Sequence, residues 1–188
     1  MYKEYWEKSL TLEQYLEENK RRLNSPSSQE EQDFKKYYEL AEQRMIRTIK
    51  SFKKDPELTE KLESKNFTGK ILIISEPWCG DASATVPAVA KFFEDTTETR
   101  IFLRDSDTTL IDKFLTAGTR SIPIVVLLNE NYEEIAHWGP RSAYGTSLLK
   151  KFKEDPEAYP RETFYNDLQV YYAKNKGKDS IEEILDLL

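Results

Sequence analysis

The spacing of apolar residues predicts that the first third of the chain is helical. Between residues 34 and 52 apolar side chains recur at steps of three and four, which places them on one face of a long helix. Ser27 and Glu30 have the spacing of a capping box just before it. A looser stripe of the same kind runs through residues 2–16. Asp55-Pro56 predicts the start of a further helix, because Asp caps well and Pro fits the first helical position.

From residue 69 the pattern changes to short apolar runs. We predict strands at residues 71–74, 100–104, 122–128 and 133–138. We predict helices at residues 82–93, 110–117, 145–153 and around 164–172, with a last turn or two after residue 180. A strand–helix–strand order implies parallel pairing, and the last two strands are typical of a hairpin. The expected fold is α/β, with a mixed four-stranded sheet flanked by helices. Residues 1–68 would form an N-terminal helical extension packed on the main domain, residues 69–188.

The composition leaves few side chains for chemistry. The 188 residues include one cysteine, Cys79, and one histidine, His137. One cysteine excludes an intramolecular disulfide and multi-cysteine zinc or iron–sulfur sites, and one histidine excludes two-histidine metal motifs. We therefore predict no metal and no other cofactor. The chain also lacks the Gly-x-Ser-x-Gly elbow of a serine hydrolase, so nucleophilic chemistry would fall to the single thiol.

Charge and hydropathy argue against nucleic-acid and membrane partners. The net charge is -6 and no dense Lys/Arg block occurs, whereas non-specific nucleic-acid binding needs a basic surface. The longest apolar run, near residues 122–128, has the length of a strand and not of a membrane span. The charged N-terminus is unlike a signal peptide, and an unpaired thiol suits a reducing compartment. We expect a cytoplasmic protein.

Three local features indicate where a functional site would form. Cys79 lies just before a predicted helix, where free backbone N–H groups and the helix dipole favour a thiolate. Pro87 lies inside that helix and should kink it. Pro123 stands at the mouth of the third strand, where proline marks an edge, a bulge or a cis bond.

Together these residues resemble the thioredoxin family. The resemblance rests on Trp-Cys-Gly at 78–80, Pro87, Arg-Ser-Ile-Pro at 120–123 and Gly139 after the fourth strand, and it covers about residues 69–153. It implies a thioredoxin-like fold in which Pro123 is a cis-proline facing Cys79. It also implies a groove for extended peptide substrates, lined by Trp78, Gly80, Ile122, Pro123, Trp138 and Gly139.

The departures from the family are equally informative. Ala82 stands where a thioredoxin has its second cysteine, and Ile73 stands where the family has a buried aspartate. Asp81 takes the place of the usual proline. Its carboxylate suits the first turn of a helix, yet a neighbouring negative charge opposes thiolate formation. The sequence leaves open whether the helix terminus or the carboxylate prevails.

Two functions therefore remain open. In the first, Cys79 performs monothiol thiol–disulfide exchange with a protein disulfide or a low-molecular-weight thiol, because a lone thiol needs an external thiol to complete the exchange. In the second, the chain is a non-catalytic module that holds a peptide or protein partner in the groove. Arg120 would bind an anionic substrate group or be a solvated charge. His137 would lower the pKa of Cys79 or be a surface histidine. The oligomeric state is not predicted.

Overall fold

The first third of the chain folds into five helices in the computed structural model, which describes residues 2–188. They are α1 (Lys3–Glu7), α2 (Leu12–Asn24), α3 (Gln29–Asp33), α4 (Lys35–Ser51) and α5 (Pro56–Lys65). The long helix predicted at residues 34–52 is confirmed as α4. The Ser-x-x-Glu cap lies one residue later than predicted, because Ser28 accepts a hydrogen bond from the Glu31 N–H and starts the short α3. The predicted Asp55 cap of α5 is confirmed.

The remainder builds one mixed sheet with four further helices. The strands are β1 (Lys70–Ser75), β2 (Thr99–Leu103), β3 (Ile124–Leu128) and β4 (Glu134–Trp138), and the helices are α6 (Ala82–Phe93), α7 (Ala143–Glu154), α8 (Arg161–Asn175) and α9 (Lys178–Asp186). The strand order is β2-β1-β3-β4. β1 is parallel to β2 and antiparallel to β3, and β3 is antiparallel to β4. The predicted mixed four-stranded sheet flanked by helices is confirmed.

One hydrophobic cluster joins the N-terminal helices to the sheet. It contains side chains from α1, α2, α4 and α5 together with the four residues 71–74 of β1, which are fully buried. Tyr15 of α2 is fully buried, and its hydroxyl lies 2.8 Å from the Ser75 hydroxyl at the end of β1. The last helix, α9, adds Ile181, Ile184 and Leu185 to the same cluster. The N-terminal helices are therefore part of the main core.

A second, smaller cluster lies between α7 and α8. Its buried members are Tyr159, Phe164, Leu168 and Tyr172, and Ala84 of α6 packs against it. This cluster is separate from the main core, so the α7–α8 pair adds no buried side chain to that core.

The helix predicted at residues 110–117 is wrong. Only a single 3-10 turn, Ile111–Lys113, forms there. The chain then makes a tight turn in which Thr116 and Thr119 exchange backbone hydrogen bonds of 2.9 and 3.0 Å. Ala117 and Gly118 at its centre have φ of 50° and 77°, the left-handed pair typical of a hairpin turn. This turn interrupts the helix and directs the chain toward Pro123.

No helix among residues 2–188 is long and apolar enough to cross a membrane.

Candidate functional site

The loop that carries Cys79 is anchored at a fully buried carboxylate. Glu76 follows β1 and accepts hydrogen bonds from Arg22 Nη1 of α2 and from the backbone N–H of Asp105, each at 2.8 Å. Its carbonyl accepts the N–H of Cys79 at 3.1 Å. Burial raises the pKa of Glu76, and Arg22 opposes that rise. The N-terminal helices thus fix the start of the Cys79 loop through a buried ion pair.

Cys79 contacts the proline loop on the neighbouring strand. The Ile122–Pro123 peptide bond is cis, as the resemblance implied. The Cys79 thiol donates a long hydrogen bond of 3.5 Å to the carbonyl oxygen of Ile122. The side chain is only 7% exposed. The structure therefore brings Cys79, Ile122 and Pro123 together, with the thiol directed at the peptide group that precedes the proline.

Gly139 follows β4 and lies against the backbone of Pro123. Its φ is +127°, and a Cβ atom there would lie 2.3 Å from the carbonyl oxygen of Pro123. Only glycine permits both this backbone conformation and this close approach. The end of β4 is thereby held against the Pro123 loop.

A buried polar cluster surrounds Asp81, two residues after Cys79. Arg141 Nη2 lies 2.5 Å from one carboxylate oxygen, and the Tyr172 hydroxyl donates to the other at 2.8 Å. Burial raises the pKa of Asp81, while the Arg141 guanidinium and the Tyr172 hydroxyl oppose that rise. Arg44 of α4 lies nearby, where its Nη1 would be 3.4 Å from a Cβ atom at Gly80. Asp81 is therefore a hydrogen-bonded buried ion and not a free helix cap.

The thiol of Cys79 is held in its protonated form. Burial raises its pKa to about 12, and the Asp81 carboxylate adds to the rise. The backbone N–H groups of Ala82 and Asp81 and the charge of Arg141 lower the pKa, but by less. The question that the sequence left open is thus answered, since burial and the carboxylate together outweigh the helix terminus.

Trp78 lies beside this site and is half-buried. The Phe34 ring packs against it with ring centroids 5.2 Å apart, and the Arg104 guanidinium lies 5.0 Å from the centre of its ring. A small cavity of about 200 Å³ opens next to it, lined in part by Arg22, Tyr38 and Asp105. α3 and α4 therefore form one wall of the region around Trp78.

Three other predicted site residues make their own contacts. Arg120 is exposed and forms two hydrogen bonds with Asp112, at 2.7 and 2.9 Å. His137 is half-exposed, with Nδ1 2.9 Å from a Glu134 carboxylate oxygen and its ring against Phe114. Trp138 is buried, and its indole N–H donates to Glu183 of α9 at 2.6 Å. None of these contacts, among residues 2–188, joins Arg120, His137 or the Trp138 indole N–H to Cys79.

Sequence reasoning missed Arg141 and Tyr172. Both lie far from Cys79 along the chain, and neither belongs to a motif. A buried aspartate needs a cation, but the sequence does not show that Asp81 is buried. The 28 Lys and Arg residues of the chain also offer no unique partner.

The comparison with known families agrees with this geometry. A sequence model described as thioredoxin matches residues 28–153. The chain belongs to the thioredoxin family. The match begins at residue 28, so it includes α3, α4 and α5 as well as the sheet. No curated protein matches the chain.

Two solved structures share the fold over almost the full length of this thioredoxin-family chain. One is a protein of unknown function from Pseudomonas aeruginosa, with a TM-score of 0.63 and 15% identity over 99% of this chain and 95% of that chain. The other is an HIV epitope scaffold, with a TM-score of 0.65 and 16% identity over 99% of this chain and 96% of that chain. At these identities the likeness concerns the fold alone.

Proposed function

We propose that this thioredoxin-family chain is a non-catalytic module that binds an extended segment of a peptide or protein partner in the groove beside Pro123. The observation that carries the proposal is the state of Cys79. Its thiol is buried, protonated and hydrogen-bonded to Ile122, with its pKa raised to about 12. The cis-proline arrangement beside Cys79 is therefore present, whereas the nucleophile is suppressed.

The size of this suppression argues against thiol exchange at neutral pH. A free thiol with a pKa of about 8.5 is roughly 3% thiolate at pH 7, and a thiol with a pKa of about 12 is about 3,000-fold less ionised. Higher basicity makes the remaining thiolate more nucleophilic, by about 40-fold for a Brønsted coefficient near 0.45. The net reactivity is roughly 100-fold below that of free cysteine, before any steric hindrance from burial.

The backbone around Ile122 supports peptide binding. No backbone carbonyl within residues 2–188 accepts a hydrogen bond from the Ile122 N–H. An extended peptide satisfies such a group by strand-like pairing, which supplies affinity without any covalent step. The half-buried Trp78 beside the groove offers an aromatic surface to a partner side chain.

Monothiol exchange is the second candidate, favoured by one observation. The Cys79 sulfur lies 3.5 Å from the Ile122 carbonyl oxygen, next to the backbone where an extended substrate would lie. A substrate disulfide bound there would be close to the thiol. This function requires that the pKa of Cys79 fall when the substrate binds.

Selection of peptides from a displayed random library, followed by titration of the selected peptides, tests the proposal. We expect Cys79→Ser to bind within about twofold of the unmodified chain. Trp78→Ala should lose at least tenfold in affinity, because a tryptophan that anchors an interface is worth about 2 kcal/mol or more. Ile135→Ala, an exposed apolar control on β4, should bind normally.

Two outcomes would contradict the proposal. If no peptide is selected, the groove is not a binding site of this kind. If binding needs Cys79 and a mixed disulfide forms between Cys79 and the peptide, the chain is a thiol-exchange protein.

A further inference from the structure

α8 bonds to the Cys79 loop, although the α7–α8 pair does not belong to the main core. Its own buried side chains form the separate cluster around Phe164 and Leu168, which reaches the body through Ala84. α9, which follows α8 directly, is anchored in the main core by Ile181, Ile184 and Leu185. Residues 143–175 therefore contribute no buried side chain to the main core.

Polar contacts attach α8 to the loop. The Tyr172 hydroxyl donates to Asp81 at 2.8 Å, and Gln169 Nε2 donates to the carbonyl of Gly80 at 3.4 Å. The Tyr171 hydroxyl also bonds Ser142 and Asp179, at 2.8 and 2.7 Å, which links the two ends of the α7–α8 pair. α8 thus bonds directly to both residues that follow Cys79.

Two buried polar atoms at or beside this attachment are unsatisfied. Gln169 Oε1 and Arg141 Nε are buried and have no hydrogen-bond partner within residues 2–188. A buried polar atom without a partner loses its hydration and gains nothing in return. Separation of α8 from the loop would hydrate Gln169 while leaving the Asp81–Arg141 ion pair in place, because Arg141 precedes α7. The closed arrangement is therefore weakened at the contact itself.

The backbone offers a place for the movement. Between α8 and α9, Lys176 and Gly177 both have positive φ, 54° and 84°. At the other end, Ser142 lies outside α7 and caps it. Rotation at these two points would move residues 143–175 as one unit while α9 stays on the sheet, and it would break the bonds of Tyr171 to Ser142 and Asp179.

We propose that α8 is a latch over the partner groove, closed by Tyr171, Tyr172 and Gln169 and opened when a partner enters beside Gly80. The proposal rests on the proposed function for the identity of the groove. The latch itself is a property of the free chain. Open and closed states differ in the exposure of Gly80, Asp81 and Cys79.

Hydrogen exchange of the full chain tests the latch, with Tyr172→Phe as the variant and Tyr165→Phe as its control. Tyr165 lies on the same helix but is 52% exposed. Loss of a hydrogen bond to a carboxylate should increase local opening about tenfold. Amides of α8 should therefore exchange about tenfold faster in Tyr172→Phe, those of β1 and α4 should be unchanged, and Tyr165→Phe should match the unmodified chain.

The alkylation rate of Cys79 by iodoacetamide gives a second measurement. This rate should rise in Tyr172→Phe and stay unchanged in the control, Tyr165→Phe. The proposal is overturned if α8 exchanges no faster in Tyr172→Phe, or if exchange accelerates equally throughout the molecule. If α8 exchanges faster in Tyr172→Phe but the chain selects no peptide, the proposed function is contradicted and the latch is not. Peptide binding with no local opening of α8 would contradict the latch alone.

Discussion

Substitution of Asp81 by asparagine should make Cys79 more reactive. The Asp81 carboxylate raises the pKa of the Cys79 thiol, second only to burial. Asparagine keeps the shape and can still accept the hydrogen bond from Tyr172, but it removes the negative charge. Arg141 keeps its positive charge, which favours the thiolate. Both changes act in the same direction, so the pKa of Cys79 should fall.

The expected size of the effect follows from Coulomb's law. Two unit charges about 6 Å apart interact by about 3 kcal/mol at an effective dielectric constant near 20, which corresponds to about 2 pKa units. Arg141 already neutralises part of the Asp81 field, so a fall of about 1–2 units is expected. The thiolate fraction then rises about 10- to 100-fold, and its nucleophilicity falls as its basicity falls. The net increase in alkylation rate should be about 3- to 10-fold.

Intact-mass measurement of iodoacetamide alkylation between pH 7 and 10 determines this rate, because the chain has one thiol. Asp112→Asn is the matched control, since it removes a carboxylate from the exposed pair with Arg120. We expect no change in that variant. Circular dichroism should establish that both variants are folded. An alkylation rate of Asp81→Asn equal to or below that of the unmodified chain would refute the electrostatic argument.

Three further predictions concern stability, measured by urea unfolding. Gly139→Ala should destabilise strongly, because its Cβ would lie 2.3 Å from a carbonyl oxygen, whereas Gly118→Ala, also at positive φ but in open space, should cost much less. Glu31→Gln should reduce the loss of stability in acid. Arg21 lowers the pKa of Glu31 to about 2 from the unfolded value of 4.5. The stability that the Glu31 carboxylate contributes is therefore fully present above pH 4.5 and is lost as the pH falls through 2. Arg22→Ala should cost about 3–5 kcal/mol, because it leaves the Glu76 carboxylate buried without its cation, and a smaller loss would contradict that role.

Much of the fold could be predicted because local patterns and tertiary packing agree. The apolar run of β1 has strand length and is fully buried, and the 34–52 stripe supplies Tyr38, Ala41 and Met45 to the buried face of α4. Tyr37 lies at one of the same three- and four-residue steps, yet it is 55% exposed. Periodicity alone does not determine which of two adjacent aromatic residues is buried. The error at residues 110–117 arose because Ala117 takes the left-handed conformation that composition does not reveal.

The site was predicted in its position but not in its chemical state. Short sequence motifs contain four of the site residues, namely Cys79, Ile122, Pro123 and Gly139. The pKa of the thiol depends on burial and on the paired charges of Asp81 and Arg141, which 60 residues separate along the chain. Pairings of this kind arise only from tertiary structure, so the balance between thiol and thiolate could not be predicted.

The most direct test of the central claim is the rate at which Cys79 forms a mixed disulfide. The second-order rate constant of the intact chain with oxidised glutathione at pH 7 would be compared with that of free cysteine under the same conditions. We predict a value roughly 100-fold lower, as expected for a buried thiol with a pKa near 12. A rate equal to or above that of free cysteine would contradict the account and establish Cys79 as a nucleophile.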